Sequence, residues 1–180
     1  MKKWIFLLLL VCSLIGFTAG FSYTRVIEQP APVPVITVKE PEPLSVVRVK
    51  PIVLTKEERI MLARNVYFEA GVEDYRGKIA VATVTYNRWI SEQWGKRLHS
   101  VIFAKGQFSW TTSKKKKYLV PTGEVWEKCL EAVRDFENGV RLYGMTDKVM
   151  YYHASYVYPT WAPKVIRFAK IGTHIFYFKS

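Results

Sequence analysis

The stretch Thr55-Lys-Glu-Glu-Arg-Ile-Met-Leu-Ala-Arg-Asn-Val-Tyr-Phe-Glu-Ala-Gly71 predicts a helix whose two ends are both marked by the sequence. Thr55 and Glu58 have the spacing of a capping box, in which each residue satisfies a backbone N–H group of the other at the start of a helix. Gly71 is a residue type that commonly follows the last helical turn. The spacing therefore predicts a helix over about residues 56–70.

One face of this helix carries a carboxylate among apolar residues. Leu62, Val66 and Glu69 are spaced i, i+4 and i+7, so they share the face that we expect to point at the core. Partial burial disfavours the charged form of a carboxylate and raises its pKa, which suits Glu69 to donate a proton and later take one back. The alternative is a structural carboxylate that pairs with a neighbouring Arg or Lys.

Two more helices and a β-rich end complete the predicted α+β domain. Apolar periodicity predicts helices over about residues 76–92 and 123–138, and the apolar run Ile79–Val84 indicates that the first of these is central. Residues 149–154 and 164–178 are rich in β-branched and aromatic side chains and break at Gly172-Thr173, which is typical of short strands or a hairpin. We expect a helical lobe, a small β lobe, and a groove between them onto which Glu69 opens.

The N-terminal third has the features of an export segment and a tether. Met1-Lys-Lys precedes an uncharged apolar run over residues 4–21, so residues 1–25 are predicted to be a signal peptide or a signal anchor, with the anchor favoured. Residues 26–53 are rich in Pro and predict an extended linker. The catalytic domain is then expected over residues 54–180, outside the cytoplasm.

Charge indicates an acidic partner. The chain has a formal net charge of +12, and residues 55–180 contain 21 Lys and Arg against 12 Asp and Glu. The run Lys114–Lys117 lacks interleaved aromatic residues that would stack on bases, and an exported domain rarely meets nucleic acid, so we expect no nucleic-acid partner. The run is interpreted as a solvated loop, with weak binding to the cell wall as the alternative.

The cysteines do not indicate nucleophilic chemistry. Val125, Cys129, Ala132 and Phe136 form one predicted helical stripe, so Cys129 is expected to be a buried apolar side chain. A reactive cysteine needs an exposed, electropositive environment. Cys12 falls within the predicted membrane segment, so we expect no disulfide.

Four separated blocks of the chain resemble, in order, the SleB/CwlJ-type cell-wall hydrolase family. The blocks are Ala63-Arg-Asn-Val-Tyr-Phe-Glu-Ala70, Gly77-Lys-Ile-Ala-Val-Ala-Thr-Val-Thr-Tyr-Asn-Arg88, Val101-Ile-Phe-Ala-Lys-Gly-Gln-Phe-Ser-Trp110 and Tyr151-Tyr-His-Ala154, followed by Pro159, Trp161 and Ile171-Gly-Thr-His-Ile-Phe-Tyr177. The resemblance spans about residues 56–178. It implies a fold similar to that of lysozyme and lytic transglycosylases, and peptidoglycan glycan strands as the partner.

The resemblance also implies roles for individual residues. Glu69 matches the family's catalytic acid, within a family pattern Glu-Ala-Arg-Gly-Glu that here is Glu69-Ala-Gly-Val-Glu73. Aromatic faces beside amide and hydroxyl groups suit a glycan, so the candidates for substrate binding are Glu73, Gln107, Ser109, Tyr151, His153 and Trp161. Trp110 and Tyr152 are interpreted as packing residues.

The candidate residues are compatible with several activities. Glu69 acting alone indicates lytic transglycosylation between N-acetylmuramic acid and N-acetylglucosamine, whereas Glu73 or Asp74 activating water would make a muramidase. An amidase would need zinc, with His153, His174, Glu69 or Asp147 as candidate ligands, but the chain has no His-Glu-x-x-His or His-x-Glu motif. We expect no metal and no cofactor, and a monomer. A non-catalytic wall-binding module tethered to the membrane would have no use for Glu69.

Overall fold

Helices come first and strands last along residues 44–179, which are the residues that the computed structural model describes. Within this range the helices are α1 Lys56–Ala70, α2 Tyr75–Ile90, α3 Leu98–Phe103, α4 Lys114–Tyr118 and α5 Glu124–Glu137. The strands are β1 Val46–Arg48, β2 Val140–Leu142, β3 Val149–Ala154, β4 Ile166–Ile171 and β5 His174–Phe178. The mixed helical and antiparallel β composition confirms the predicted α+β class.

Helix α1 begins and ends where its sequence predicts. The Thr55 hydroxyl accepts a hydrogen bond from the Glu58 backbone N–H at 3.2 Å, and the Glu58 carboxylate accepts one from the Thr55 N–H at 2.9 Å. Gly71 follows the last turn, where an added Cβ would collide with the carbonyl oxygen of Tyr67. The capping box therefore sets the register that carries Glu69 into the last turn.

Helix α2 is the central element of the domain, as its apolar character predicts. Every residue from Gly77 to Thr85 is buried, and α1, α3, α5, β2 and β3 all pack against it. The Asp74 side chain caps its N-terminus by accepting from the Gly77 N–H at 2.8 Å. Asp74 is thus a structural cap, and a role for it in activating water gains no support from this position.

Helix α5 covers α1 and α2 with most of its predicted stripe. Cys129, Ala132 and Phe136 are fully buried, whereas Val125 in the first turn is 43% exposed, so the stripe is one residue shorter than predicted. Burial raises the pKa of the Cys129 thiol to about 11. This agrees with the interpretation of Cys129 as an inert packing residue.

The C-terminal strands form an antiparallel sheet in the order β3-β5-β4. The β4–β5 hairpin turns at Gly172-Thr173, the break that the sequence indicates. Gly172 has φ +55°, a left-handed conformation that glycine adopts without strain.

A second, two-stranded sheet pairs β1 with β2 and was not predicted. The strand Val46–Arg48 lies in the stretch assigned to the Pro-rich linker, yet Val46 pairs with Leu142 and Arg48 with Val140. Strands of three residues carry too little periodicity to recognise, and their pairing joins residues almost one hundred positions apart. The run Lys114–Lys117, interpreted as a loop, is helical in α4 because the Ser113 hydroxyl caps it.

The predicted signal segment over residues 1–25, including its apolar run at 4–21, and most of the linker lie outside the described residues. Between residues 44 and 179, no helix is both long enough and apolar enough to cross a membrane.

Candidate functional site

A pocket of about 310 Å³ lies where the end of α1 meets strands β3 and β5. Its lining is predominantly polar and includes both helical and β-sheet residues. The residues that line it are Phe68, Glu69, Arg88, Gln107, Ser109, Tyr152, His153, Ala154, Tyr156 and His174. In the part of the chain that the structure describes, Glu69 is the only carboxylate in this lining.

Glu69 is held at the pocket wall with one oxygen bonded and the other without a partner. Its Oε2 accepts a hydrogen bond from the Tyr152 hydroxyl at 3.0 Å, and its Oε1 is buried with no hydrogen bond from the described residues. Burial raises the pKa of Glu69 above its ordinary value, although the Tyr152 hydrogen bond and the charges of Arg88 and Lys116 act in the opposite direction. A carboxyl group with a raised pKa keeps its proton to a higher pH than an ordinary glutamate, which suits it to donate that proton and take one back.

Arg88 supplies a buried cation beside this acid, a role that the sequence did not indicate. Its Nε donates to the Met150 carbonyl at 2.8 Å, while its other guanidinium nitrogen NH1 is buried with no hydrogen-bond partner in the described part of the chain. The guanidinium also lies 5.8 Å from the centre of the Tyr152 ring. Burial lowers the pKa of Arg88, but a guanidinium keeps its proton, so the pocket has a fixed positive charge.

Tyr152, which was interpreted as a packing residue, also forms a hydrogen bond with Glu69. Its ring packs against His174 and Phe176, as an ordinary core aromatic would, but its hydroxyl donates to Glu69. Burial beside Glu69 raises the pKa of Tyr152 well above its ordinary value, so the hydroxyl remains a donor. Trp110, by contrast, is confirmed as a packing residue: it is 1% exposed and donates its indole N–H to Asn65.

Glu73 does not line this pocket, in contrast to its predicted role as a substrate-binding residue. Its carboxylate accepts hydrogen bonds from the backbone N–H of Thr173 at 3.2 Å and from the Thr173 hydroxyl. The same carboxylate lies 3.3 Å from Nδ1 of His174, and its side chain is almost fully buried. Glu73 therefore ties the turn after α1 to the β4–β5 hairpin.

His174 reaches the pocket from the hairpin that Glu73 holds. Its Nδ1 faces the Glu73 carboxylate, and its ring lies 5.3 Å from the Tyr152 ring in an edge-on arrangement. Burial lowers the pKa of His174 below its ordinary value despite the neighbouring carboxylate. The sequence indicated His174 only as a possible zinc ligand.

Gln107, Ser109 and His153 line the pocket, where the sequence analysis expected them. The Nδ1 of His153 lies 2.9 Å from the Ala154 carbonyl, and its Nε2 lies 2.7 Å from the Tyr177 hydroxyl. Because a carbonyl can only accept, Nδ1 carries a proton and donates to Ala154, and Nε2 pairs with the Tyr177 hydroxyl. Both ring nitrogens are thus committed within the protein, which makes His153 a rigid wall of the pocket.

Tyr151 and Trp161 do not belong to the pocket lining, so their predicted direct contact with substrate is not supported by this position. Trp161 packs 5.7 Å from the rings of both Tyr151 and His153. Tyr156, which was not among the predicted candidates, lines the pocket and is 82% exposed. Tyr156 follows β3 in a loop, and no spacing in the sequence marks it.

The candidate zinc ligands do not converge. Within residues 44–179, no group of three or more His, Cys, Asp or Glu side chains has the proximity that a metal site needs. His153 uses both ring nitrogens in protein contacts, and His174 directs one of its nitrogens at Glu73.

Comparison with known proteins places this chain in a family. Residues 72–177 match the family model described as Cell Wall Hydrolase. The catalytic domain of the germination-specific lytic transglycosylase SleB from Bacillus anthracis is 30% identical, with 72% of this chain and 99% of that chain covered and a TM-score of 0.59. The catalytic domain of the Bacillus cereus SleB protein is 29% identical, with 72% and 95% covered and a TM-score of 0.59. No curated protein matches the chain.

The chain therefore belongs to the cell wall hydrolase family, and the family prediction made from its sequence blocks is confirmed. The region that matches the family model begins at Val72, three residues after Glu69. Glu69 therefore lies outside the region that the family model matches.

Proposed function

We propose that this cell wall hydrolase cleaves the glycosidic bond between N-acetylmuramic acid and N-acetylglucosamine in peptidoglycan, as a lytic transglycosylase with Glu69 as its single acid and base. The observation that carries the proposal is that, among residues 44–179, Glu69 is the only carboxylate that lines the pocket. The similarity to a protein described as a germination-specific lytic transglycosylase supports the same reaction.

In the first step Glu69 acts as a general acid. Its burial favours the protonated form, so the carboxyl group gives its proton to the glycosidic oxygen as the bond from that oxygen to C1 of the muramic residue breaks. The leaving sugar departs with a free hydroxyl group. Positive charge develops at C1, and the Glu69 carboxylate formed in this step stabilises it.

In the second step the same carboxylate acts as a base. It takes the proton of the muramic C6 hydroxyl while that oxygen forms a bond to C1, which gives a 1,6-anhydro end and restores protonated Glu69. No water is consumed, and the proton lost in the first step is recovered in the second. A single carboxylate is therefore sufficient, whereas a hydrolytic glycosidase normally needs a second one.

Tyr152 and Arg88 adjust the proton affinity of Glu69 between these two steps. The Tyr152 hydroxyl donates to Oε2, which leaves Oε1, the buried oxygen without a partner, to exchange the proton with substrate. The Arg88 charge and the Tyr152 hydrogen bond both favour the carboxylate. They limit the rise in pKa caused by burial, so that both forms of Glu69 are accessible during turnover.

The N-terminal segment is proposed to export the protein and to anchor it in the membrane. Peptidoglycan lies outside the cytoplasm, so we infer that residues 1–25 direct export and that the segment 4–21 tethers the domain to the membrane. Fractionation of cells that produce the full chain tests this, because recovery of the protein in the cytosol would contradict it.

The decisive experiment is mass spectrometry of the soluble products released from purified peptidoglycan by the full chain. Glu69→Gln is the test variant, and Glu127→Gln, which changes an exposed carboxylate on α5, is the matched control. We expect anhydro-muropeptides from the wild type and the control, and none from Glu69→Gln.

Other products would replace this proposal by a defined alternative. Hydrated reducing ends would identify a muramidase, and released stem peptides with intact glycan would identify an amidase. Binding to peptidoglycan without any product would identify a wall-binding module.

A further inference from the structure

The four lysines of α4, Lys114–Lys117, form an exposed cationic surface that is here called the lysine patch. All four side chains are exposed, and none has an ion-pair partner among residues 44–179. Like charges at these spacings on one short helix repel each other, and a helix of five residues is marginal by itself. The fold therefore maintains this concentration of charge against its local tendency.

Ser113 and Arg64 hold the patch in place at its two ends, and neither neutralises it. The Ser113 hydroxyl caps the N-terminus of α4 by accepting from the Lys116 N–H. At the other end, the guanidinium of Arg64 on α1 donates to the carbonyls of Lys117 and Leu119, at 2.9 and 3.3 Å. Because the second anchor is itself a cation, the patch is fixed to α1 and keeps its positive charge.

The patch borders the pocket. The 3₁₀ turn Ser109–Thr112 begins with a pocket-lining residue and leads directly through Ser113 into α4. Arg64, which binds the end of α4, lies on α1 five residues before Glu69. Lys116 is close enough for its charge to lower the pKa of Glu69, in opposition to burial. A ligand held by the patch would therefore lie on the side of the pocket that Ser109 lines.

We propose that the lysine patch binds the free carboxylates of the stem peptides on the substrate strand, and so selects peptidoglycan with uncapped, anionic peptides. The inference rests on the proposed function, because the bond cleaved there belongs to the muramic residue that carries the stem peptide. Lysine ammonium groups on flexible stems recognise charge with little demand on geometry, which suits a mobile peptide tail. Phosphates of other anionic wall polymers share this charge, and the experiment separates the two sources.

The test uses the full chain with all four patch lysines changed to Gln. The matched control changes Lys50, Lys56, Lys96 and Lys148 to Gln, which removes the same charge from exposed positions outside the pocket lining. The substrates are purified peptidoglycan free of other wall polymers, the same material with its carboxyl groups amidated, and the unamidated material with its phosphate polymers retained. Rates of product release are measured at low and at physiological salt.

On unamidated peptidoglycan at low salt, we expect the patch variant to raise the apparent KM by about tenfold, and the control to keep the KM of the wild type. On amidated peptidoglycan, wild type and patch variant should have the same apparent KM; kcat is not compared, because loss of the Lys116 charge also acts on the pKa of Glu69. Equal behaviour of the patch variant and the control on unamidated material would overturn the proposal. A difference that persists after amidation, or that appears only with phosphate polymers present, would assign the patch to another ligand and overturn it too.

A binding experiment separates this inference from the proposed reaction. Sedimentation with insoluble peptidoglycan is measured for Glu69→Gln with and without the four patch substitutions. Weaker binding on loss of the patch supports the inference even if the wild type releases no glycan product, an outcome that would overturn only the proposed reaction. Unchanged binding would overturn the inference even if anhydro-muropeptides are found.

Discussion

Two glutamates four residues apart, at the end of α1 and in the turn that follows, have opposite surroundings. Glu69 is partly buried, with one oxygen, Oε1, buried and lacking any hydrogen-bond partner among the described residues, and the other bound only by Tyr152. Glu73 is buried as well, but it accepts two hydrogen bonds from Thr173 and faces His174. Burial alone therefore does not make a carboxylate reactive, since the donors around it decide whether it is an available acid or a structural anchor.

The largest expected effect comes from replacing the carboxylate of each glutamate in turn by a neutral amide. Glu69→Gln should lower the rate of product release by at least about 10³-fold, because the acid and base of both steps is lost. Glu73→Gln should instead lower the free energy of unfolding by about 1–3 kcal/mol, because an amide donor is placed opposite the Thr173 donors. Rates under saturating substrate and urea unfolding of both variants measure the contrast. Retained activity in Glu69→Gln would contradict the assignment of Glu69 as the acid and base.

A change at Gly172 tests the anchor from the other side of the contact. An added Cβ would overlap the Glu73 carboxylate, and φ +55° disfavours alanine, so Gly172→Ala should destabilise the protein by about 2–4 kcal/mol. Gly106→Ala is a matched control, since its φ is also positive at +77° but its Cβ would meet no atom within 4 Å. Thermal unfolding that shows equal losses for the two variants would mean that the overlap with Glu73 contributes nothing.

The hydrogen bond on Glu69 can be removed without changing the ring beneath it. Tyr152→Phe deletes a donor that favours the carboxylate, so the pKa of Glu69 should rise further. Because the first step needs protonated Glu69, kcat/KM falls as pH rises through this pKa, and the alkaline limb of the profile should move to higher pH. A lower rate with an unmoved alkaline limb would show that Tyr152 does not adjust this acid.

The smallest expected effect is on stability. A carboxyl group whose pKa is raised in the folded state contributes stability at pH values below its ordinary pKa of about 4.3, and loses it as pH rises through the folded pKa. Glu69→Gln removes this dependence, so the variant should exceed wild type in Tm at pH 7, with a smaller gap near pH 4. A gap that narrows with rising pH would contradict the burial argument.

The elements that sequence patterns predicted well are those specified by near neighbours. The capping box at Thr55, the end of α1 at Gly71 and the burial of α2 follow from residues within one or two turns of each other. The positions of Gln107 and Ser109 were accessible through the resemblance to a known family. The strand β1 was missed because its partner β2 lies almost one hundred residues away and both are three residues long.

The sequence by itself determined the helical frame, the place of Glu69 at the end of α1, and the cell wall hydrolase family. Only the tertiary structure decided what surrounds each glutamate, because the Tyr152 hydroxyl that binds Glu69 is 83 residues away and the Thr173 donors that bind Glu73 are 100 residues away. Helix caps and periodicity involve residues that are close together in the chain, so they can be recognised from the sequence. Hydrogen bonds that distinguish an acid from an anchor form only when the β4–β5 hairpin and strand β3 pack against the helices, and no local pattern encodes that contact.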